Sequence, residues 1–325
     1  MSEAGVRPRV SVVIPIFNEE ETLETLYRRL HDVLEGIGEP YEVIFINDGS
    51  RDGSERLLRE FHRRTPAFKV VNFSRNFGHQ VAVTCGLDHA SGDAIIAMDG
   101  DLQDPPEVLP GLLARWREGY EVVYAVRQAR KENVFKRAAY KAFYWILHRV
   151  SYLDIPLDSG DFSLIDRRVV EVLRAMPERN RFVRGLRTWA GFRQIGYEYA
   201  REARFAGESK YSLGKLLKLA FDGLVSYSYV PLRLVSNVGM LVSVSALIYM
   251  GYLLMARLFG NVEIRGWTST VVIQLFLGGV QLLSLGVIGE YIGRIFEEVK
   301  QRPHYVVRDR VGFVVDDAVG RGESR

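Results

Sequence analysis

Up to Val126 the chain alternates short apolar runs with stretches of helical periodicity. Val10–Phe17, Tyr41–Ile46, Phe68–Phe73, Asp93–Met98 and Glu121–Val126 are rich in β-branched residues and predict strands. Between them Glu19–Glu35, Asp52–Arg64, His79–Ala90 and Pro105–Glu118 carry apolar residues at helical spacing. This alternation predicts βαβ units and an α/β fold, with a mostly parallel sheet covered on both faces. Val10–Phe17 leads straight into Asn18-Glu19-Glu20-Glu21 with no small-residue cleavage site, so it reads as a buried strand and not as a secretory signal.

The pattern changes twice further on. Arg127–Val150 mixes Arg130, Lys131, Lys136, Arg137 and Lys141 with Phe135, Tyr140, Tyr144 and Trp145, and Glu132 is its one acid. Such a helix suits the headgroup layer of a membrane. Leu234–Met255 then runs 22 residues without a charge, and Trp267–Gly289 runs 23. At ~1.5 Å per residue each reaches roughly 33 Å, enough to cross a bilayer core. Lys215, Lys218 and Arg233 precede the pair, and Arg294, Lys300, Arg302, Arg308 and Arg310 follow it. That bias predicts a hairpin with both termini in the cytoplasm. The expected organisation is a catalytic domain over 1–230 with interfacial helices near 133–150 and 212–226. Spans follow near 234–256 and 267–290 (a membrane region over 231–295), and then a tail over 296–325. Gly278, Gly279, Gly286 and Gly289, with Gln274 and Gln281 on one face, suit helix packing and a homo-oligomer.

Composition narrows the function. Of 325 residues 47% are hydrophobic and 26% charged, which excludes a disordered or fibrous chain. The net charge of +3 makes no case for nucleic acid, and the single Cys85 excludes a disulfide framework.

The candidate chemistry lies where strands end, the edge at which open α/β sheets bind ligands. After the fourth predicted strand comes Asp99-Gly100-Asp101-Leu102-Gln103-Asp104-Pro105-Pro106. In an extended segment Asp99, Asp101 and Gln103 point one way and offer hard oxygen donors to Mg2+ or Mn2+ shared with substrate phosphates. Asn47-Asp48-Gly49-Ser50-Arg51-Asp52 follows the second strand, and Pro15-Ile16-Phe17-Asn18-Glu19 ends the first. Asp48 is placed to accept from a base or ribose, and Ser50 or Asp52 to cap the next helix. Asp161, in Ser159-Gly160-Asp161-Phe162, is a further carboxylate, and Arg204 to Tyr211 combines Arg204, Ser209 and Lys210 in a loop suited to phosphates. Arg179, Arg181, Arg184 and Arg187 read as a phospholipid-facing or solvated helix face, and His79 and His89 as ordinary helix residues. Neither GxGxxG nor GxxxxGK[ST] occurs after a strand, which removes support for dinucleotide and P-loop readings.

Together these motifs resemble family 2 glycosyltransferases of the GT-A fold, and among them the polyprenyl-phosphate glycosyltransferases. The resemblance covers about Val10 to Arg302, and the two-span hairpin is most similar to the bacterial glucosyl branch. It implies an inverting transfer of glucose from UDP-glucose to undecaprenyl phosphate, with GDP-mannose or a modified UDP-sugar as alternative donors. Pro15, Phe17, Glu19, Asp48, Asp99 and Ser209 would hold the nucleotide-sugar. Asp101, Gln103 and Asp99 would hold the metal. Asp161, Asp101, Arg204 and Lys210 would be catalytic. Phe17 stands where many relatives have tyrosine. Rival classes are a processive synthase, which two spans serve poorly, a nucleotidyltransferase, which gains nothing from a hairpin, and a non-catalytic membrane scaffold.

Overall fold

The computed structural model describes residues 8–127, 159–176, 178–179, 181–199, 230–259 and 266–313. It has two compact units, one built on a sheet and one on two long helices.

The sheet unit has eight strands: β1 Val10–Ile16, β2 Tyr41–Asn47, β3 Phe68–Phe73, β4 Ala94–Ala97, β5 Val122–Arg127, β6 Ser159–Asp166, β7 Gln194–Tyr199 and β8 Val307–Val311. Their order is β7-β5-β6-β4-β1-β2-β3-β8. The β1–β2, β1–β4, β2–β3 and β5–β7 pairs are parallel, while β6 and β8 run antiparallel to their neighbours. This is the expected mostly parallel α/β sheet.

Both faces are covered, which is why the strands are apolar without alternation. Val12, Ile14, Val43 and Phe45 pack on one face with α1 (Glu20–Ile37), α2 (Ser54–Arg64) and α4 (Leu109–Arg117, entered through a 3-10 turn at Pro106–Val108). Val13, Ile44, Ile46 and Val71 face the other side, against α3 (His79–His89), α5 (Arg167–Ala175) and α6 (Val183–Trp189). In α1, Leu23, Leu26, Leu30 and Leu34 form one buried stripe. Burying each such leucine contributes roughly 1.5–3 kcal/mol. At the α3–β1 contact there is no room to spare: a Cβ on Gly86 would lie 1.9 Å from Val13 Cγ1.

The segment expected as a tail differs from that reading. Residues 302–313 belong to the sheet unit, and β8 pairs with β3 through Val70↔Val311 and Asn72↔Asp309. Five residues with only alternate ones exposed carry too weak a pattern to read as a strand before the partner edge is known.

The second unit holds α7 (Val230–Phe259) and α8 (Trp267–Val299), 30 and 33 residues long. Both are long and apolar enough to cross a membrane. Their large apolar side chains lie open, with Leu275 71% and Leu282 72% exposed. Buried soluble helices would not leave such a surface bare. Both helices run beyond the charge-free stretches, α8 as far as Glu290, Arg294 and Glu297. The two expected interfacial helices lie outside the described residues.

Candidate active site

The loops after β1, β2 and β4 meet at the carboxyl edge of the sheet, where strand order reverses direction between β4 and β1. They are hydrogen-bonded to one another. Asn18, at φ 56°, donates its N–H to Ser50 Oγ at 3.1 Å and accepts the Arg51 N–H on Oδ1 at 2.8 Å. Asp52 accepts the Glu20 N–H and the Ser54 N–H, each at 3.1 Å, and so serves the starts of α1 and α2 together. Thr22 Oγ1 donates to the Gly100 carbonyl at 3.3 Å. Gly49 has φ +71°, and a Cβ there would lie 2.7 Å from the backbone of Arg75 and Asn76. Only glycine fits.

Pro15 lies within β1, and Phe17, just past its end, is 45% exposed. Glu19 opens α1, and its N–H donates to Ser54 Oγ at 3.1 Å. Asp48 is buried, and its two oxygens accept the Phe77 N–H at 2.6 Å and the Gly78 N–H at 2.9 Å. Burial raises its pKa, and the two amide bonds only partly offset that. Asp48 therefore fixes the residues that precede His79, the first residue of α3.

The stretch after β4 is bent and not extended. Leu102 has φ 60° and is buried, and the Gln103 N–H donates to Asp101 Oδ1 at 3.1 Å. This Asx-type turn overrides the simple alternation expected of Asp99, Asp101 and Gln103, and it leaves Gln103 buried.

β6 runs antiparallel to β4, so its first residues lie beside the end of β4 and bring Asp161 to the same edge. His79 Nε2 lies 3.5 Å from Asp99 Oδ1 and 3.7 Å from Asp161 Oδ2. Gln80 Nε2 donates to Asp161 Oδ2 at 3.0 Å, and Arg184 Nη2 to Asp161 Oδ1 at 3.3 Å. Their surroundings push the two carboxyls apart. Burial, with Asp104, Asp101 and Asp161 near by, lifts Asp99 to about 6 against the pull of His79. Burial would lift Asp161 too, but His79 and Arg184 outweigh it and hold the group at about 2. His79 is itself raised, since the acidic partners Asp161, Asp99 and Asp48 outweigh its burial.

The arginine series is no solvated face. Arg187 is 1% exposed, and its Cζ lies 5.6 Å over the Tyr124 ring. Burial, and then Arg184, lower it to about 10, so it keeps its charge at neutral pH. Sequence reasoning missed His79, Gln80, Arg184 and Arg187 as members of this cluster. A histidine opening a helix after Gly78, and arginines in a basic run, carry no sign of a carboxylate contributed by β6. Arg204, Ser209 and Lys210 lie outside the described residues.

The donors suit a hard cation in part. Asp99 is crowded by negative charge that a cation would relieve. Among the described residues, no three His, Cys, Asp or Glu side chains are disposed to hold a metal by themselves. The fit is to an ion completed by substrate phosphates.

The family described as Glycosyl transferase family 2 matches residues 11–174, and that described as GtrB C-terminal hairpin matches residues 230–295. The chain is 49% identical over 304 residues to the uncharacterized glycosyltransferase YkcC of Bacillus subtilis, covering 93% of this chain and 94% of that one. It is 42% identical over 302 residues to the bactoprenol glucosyl transferase of Shigella phage SfII, covering 92% and 97%. A solved mannosyltransferase from Pyrobaculum calidifontis, in complex with GDP-Man and Mn2+, aligns with a TM-score of 0.44 at 18% identity, covering 86% of this chain and 88% of that one.

Proposed function

Since the chain belongs to glycosyl transferase family 2 and is a glycosyltransferase, we propose that it transfers glucose from UDP-glucose to the phosphate of undecaprenyl phosphate, with inversion. The carrying observation is the meeting of Asp99 and Asp161 at one histidine, on the edge where the β1, β2 and β4 loops converge. The matched hairpin and the phage relative support a polyprenyl-phosphate acceptor and a membrane location.

In this reading Pro15, Phe17, Glu19 and Asp48 border the nucleotide, and Ser209 also binds it. An acceptor phosphate oxygen forms a bond to the anomeric carbon as the bond to the nucleoside diphosphate breaks. The transition state has oxocarbenium character. A phosphate monoester has its second pKa near ~6 and is largely ionised at neutral pH, so no strong general base is needed. Asp161, kept ionised by His79 and Arg184, then positions charge and does not accept a proton. Arg204 and Lys210 neutralise the departing diphosphate. Mg2+ or Mn2+, held by Asp101, Gln103 and Asp99 with the donor phosphates, would add Lewis-acid charge neutralisation there. In this reading both termini and the catalytic domain face the cytoplasm, which the basic flanks of the two spans favour, and the small residues of α8 suit a homo-oligomer.

The test uses purified full-length protein in liposomes with Mg2+, undecaprenyl phosphate and a panel of UDP- and GDP-sugars. Glycolipid and nucleoside diphosphate should appear together with UDP-glucose, and NMR of the product should show the β-anomer. Asp101→Ala should lose about 100-fold or more in rate while keeping its melting temperature. Turnover with a different sugar would replace the donor. Folded protein that binds nucleotide but turns over no donor would sink the acceptor assignment.

A further inference from the structure

Three neighbouring strands place Asn47, Asn72 and Asp309 in register, through Asn47↔Asn72 and Asn72↔Asp309. Asn47 and Asn72 are fully or nearly fully buried. Their side chains form one chain of hydrogen bonds. Asn72 Nδ2 donates to Asp309 Oδ1 at 2.8 Å, and Asn47 Nδ2 donates to Asn72 Oδ1 at 2.9 Å. Asn47 Oδ1 in turn accepts the Ser50 N–H at 3.0 Å, and Ser50 Oγ accepts the Asn18 N–H at 3.1 Å. The chain therefore ends in the β1 and β2 loops of the candidate site.

A buried primary amide is ambiguous, because either end can face a neighbouring amide. An ionised carboxylate is not, since it only accepts. With Asp309 at the head, Asn72 must turn its NH2 toward β8. Asn72 then offers its oxygen to Asn47, and Asn47 is left with its oxygen toward Ser50. Reversing Asn47 would set two N–H groups against each other at Ser50 and leave buried polar atoms unpaired. Arg59 and Arg308 keep Asp309 ionised, at 2.5 Å and 3.0 Å, and Arg308 also pairs with Glu55 of α2 at 2.7 Å. The head of the chain thus lies on a strand that the polypeptide reaches only after α8.

We propose that Asp309 is a positioning residue for the nucleotide loop. It sets the polarity of the Asn72–Asn47 relay and so holds the Asn47–Ser50 turn in its binding shape. The segment returning from the second long helix is then a working part of the donor site and not a tail. The loop's role toward nucleotide rests on the function proposed above. The relay itself does not.

The experiment compares full-length wild type, Asp309→Asn, and the double variant Asn72→Asp with Asp309→Asn, all in detergent. In the double variant the carboxylate moves one strand inward, accepts from both neighbours and restores the orientation of Asn47. Hydrogen exchange of the peptide over 47–54 is read without ligand, and binding of UDP and GDP is read by calorimetry. Asp309→Asn should speed exchange of that peptide and weaken nucleotide binding about fivefold, the value of one net hydrogen bond. The double variant should recover both to within about twofold. Unchanged exchange in Asp309→Asn would overturn the proposal. So would equal loss in the single and double variants, since that result marks a merely structural contact. Wild type that binds neither nucleotide while the exchange pattern holds would refute the proposed function and leave the relay standing.

Discussion

Asp99→Asn should make the metal-free protein more stable near neutral pH while removing its activity. In the fold Asp99 titrates at about 6 against an ordinary value of 3.8, because burial and the carboxyls of Asp104, Asp101 and Asp161 disfavour its charge. A raised acid penalises the folded state wherever it is ionised. The penalty is full above about 6 and fades as pH falls through 6 toward 3.8. Each pKa unit is worth ~1.4 kcal/mol, so two units give about 3 kcal/mol before screening. The side chain is 33% exposed, which reduces the expected effect to roughly 1 kcal/mol. His79 acts in the same direction. Its raised pKa contributes stability that is full below its ordinary 6.5 and is lost as pH rises through the folded value. Melting in EDTA at about pH 8 and about pH 5 checks both. Wild type should melt higher at the acidic pH. Asp99→Asn should melt about 2–4 °C above wild type near pH 8 and lose that advantage on acidification. Mn2+ should raise the wild-type melting temperature more than that of the variant. A variant that melts lower than wild type near pH 8 in EDTA, or a wild-type melting point indifferent to pH across this range, would refute the reasoning.

Three further outcomes are expected. Asp161→Asn leaves Arg184 and the buried Arg187 without their counter-charge and should cost about 2 kcal/mol, read as a lower melting temperature at neutral pH. Adding Arg184→Gln to it should then cost less than the two single changes summed. Gly86→Ala drives a methyl against Val13 and should destabilise by about 1–3 kcal/mol, with the donor KM little changed in the fraction that stays folded.

Much of the first unit is legible because its physics is local. A strand buried on both faces must be apolar throughout, so β1 to β5 stand out. Helices that cover a sheet must carry a stripe, as Leu23, Leu26, Leu30 and Leu34 do. Polar residues directly after three such strands already mark a single edge, because parallel strands end together. Two charge-free stretches likewise announce helices that no core of this size would cover.

The rest depended on which distant segments become neighbours. Asp161 and the end of β4 are brought together by antiparallel pairing, and nothing near Asp161 in the chain says that Asp99, His79, Gln80 and Arg184 will surround it. Burial then decides charge. Among neighbouring carboxyls one is pushed up to about 6 and another held at about 2, and the order follows from which of them is bonded by His79 and Arg184. Arg187 looks like its neighbours in the basic run, yet it is enclosed against Tyr124. β8 is short and half exposed, and it becomes a strand only where β3 offers an edge. Local periodicity is written in adjacent residues, so the sequence by itself determined β1 to β5, the helices between them and the edge where the candidate site lies. Electrostatic pairing is written in three dimensions, so only the tertiary structure decided which groups at that edge act on one another.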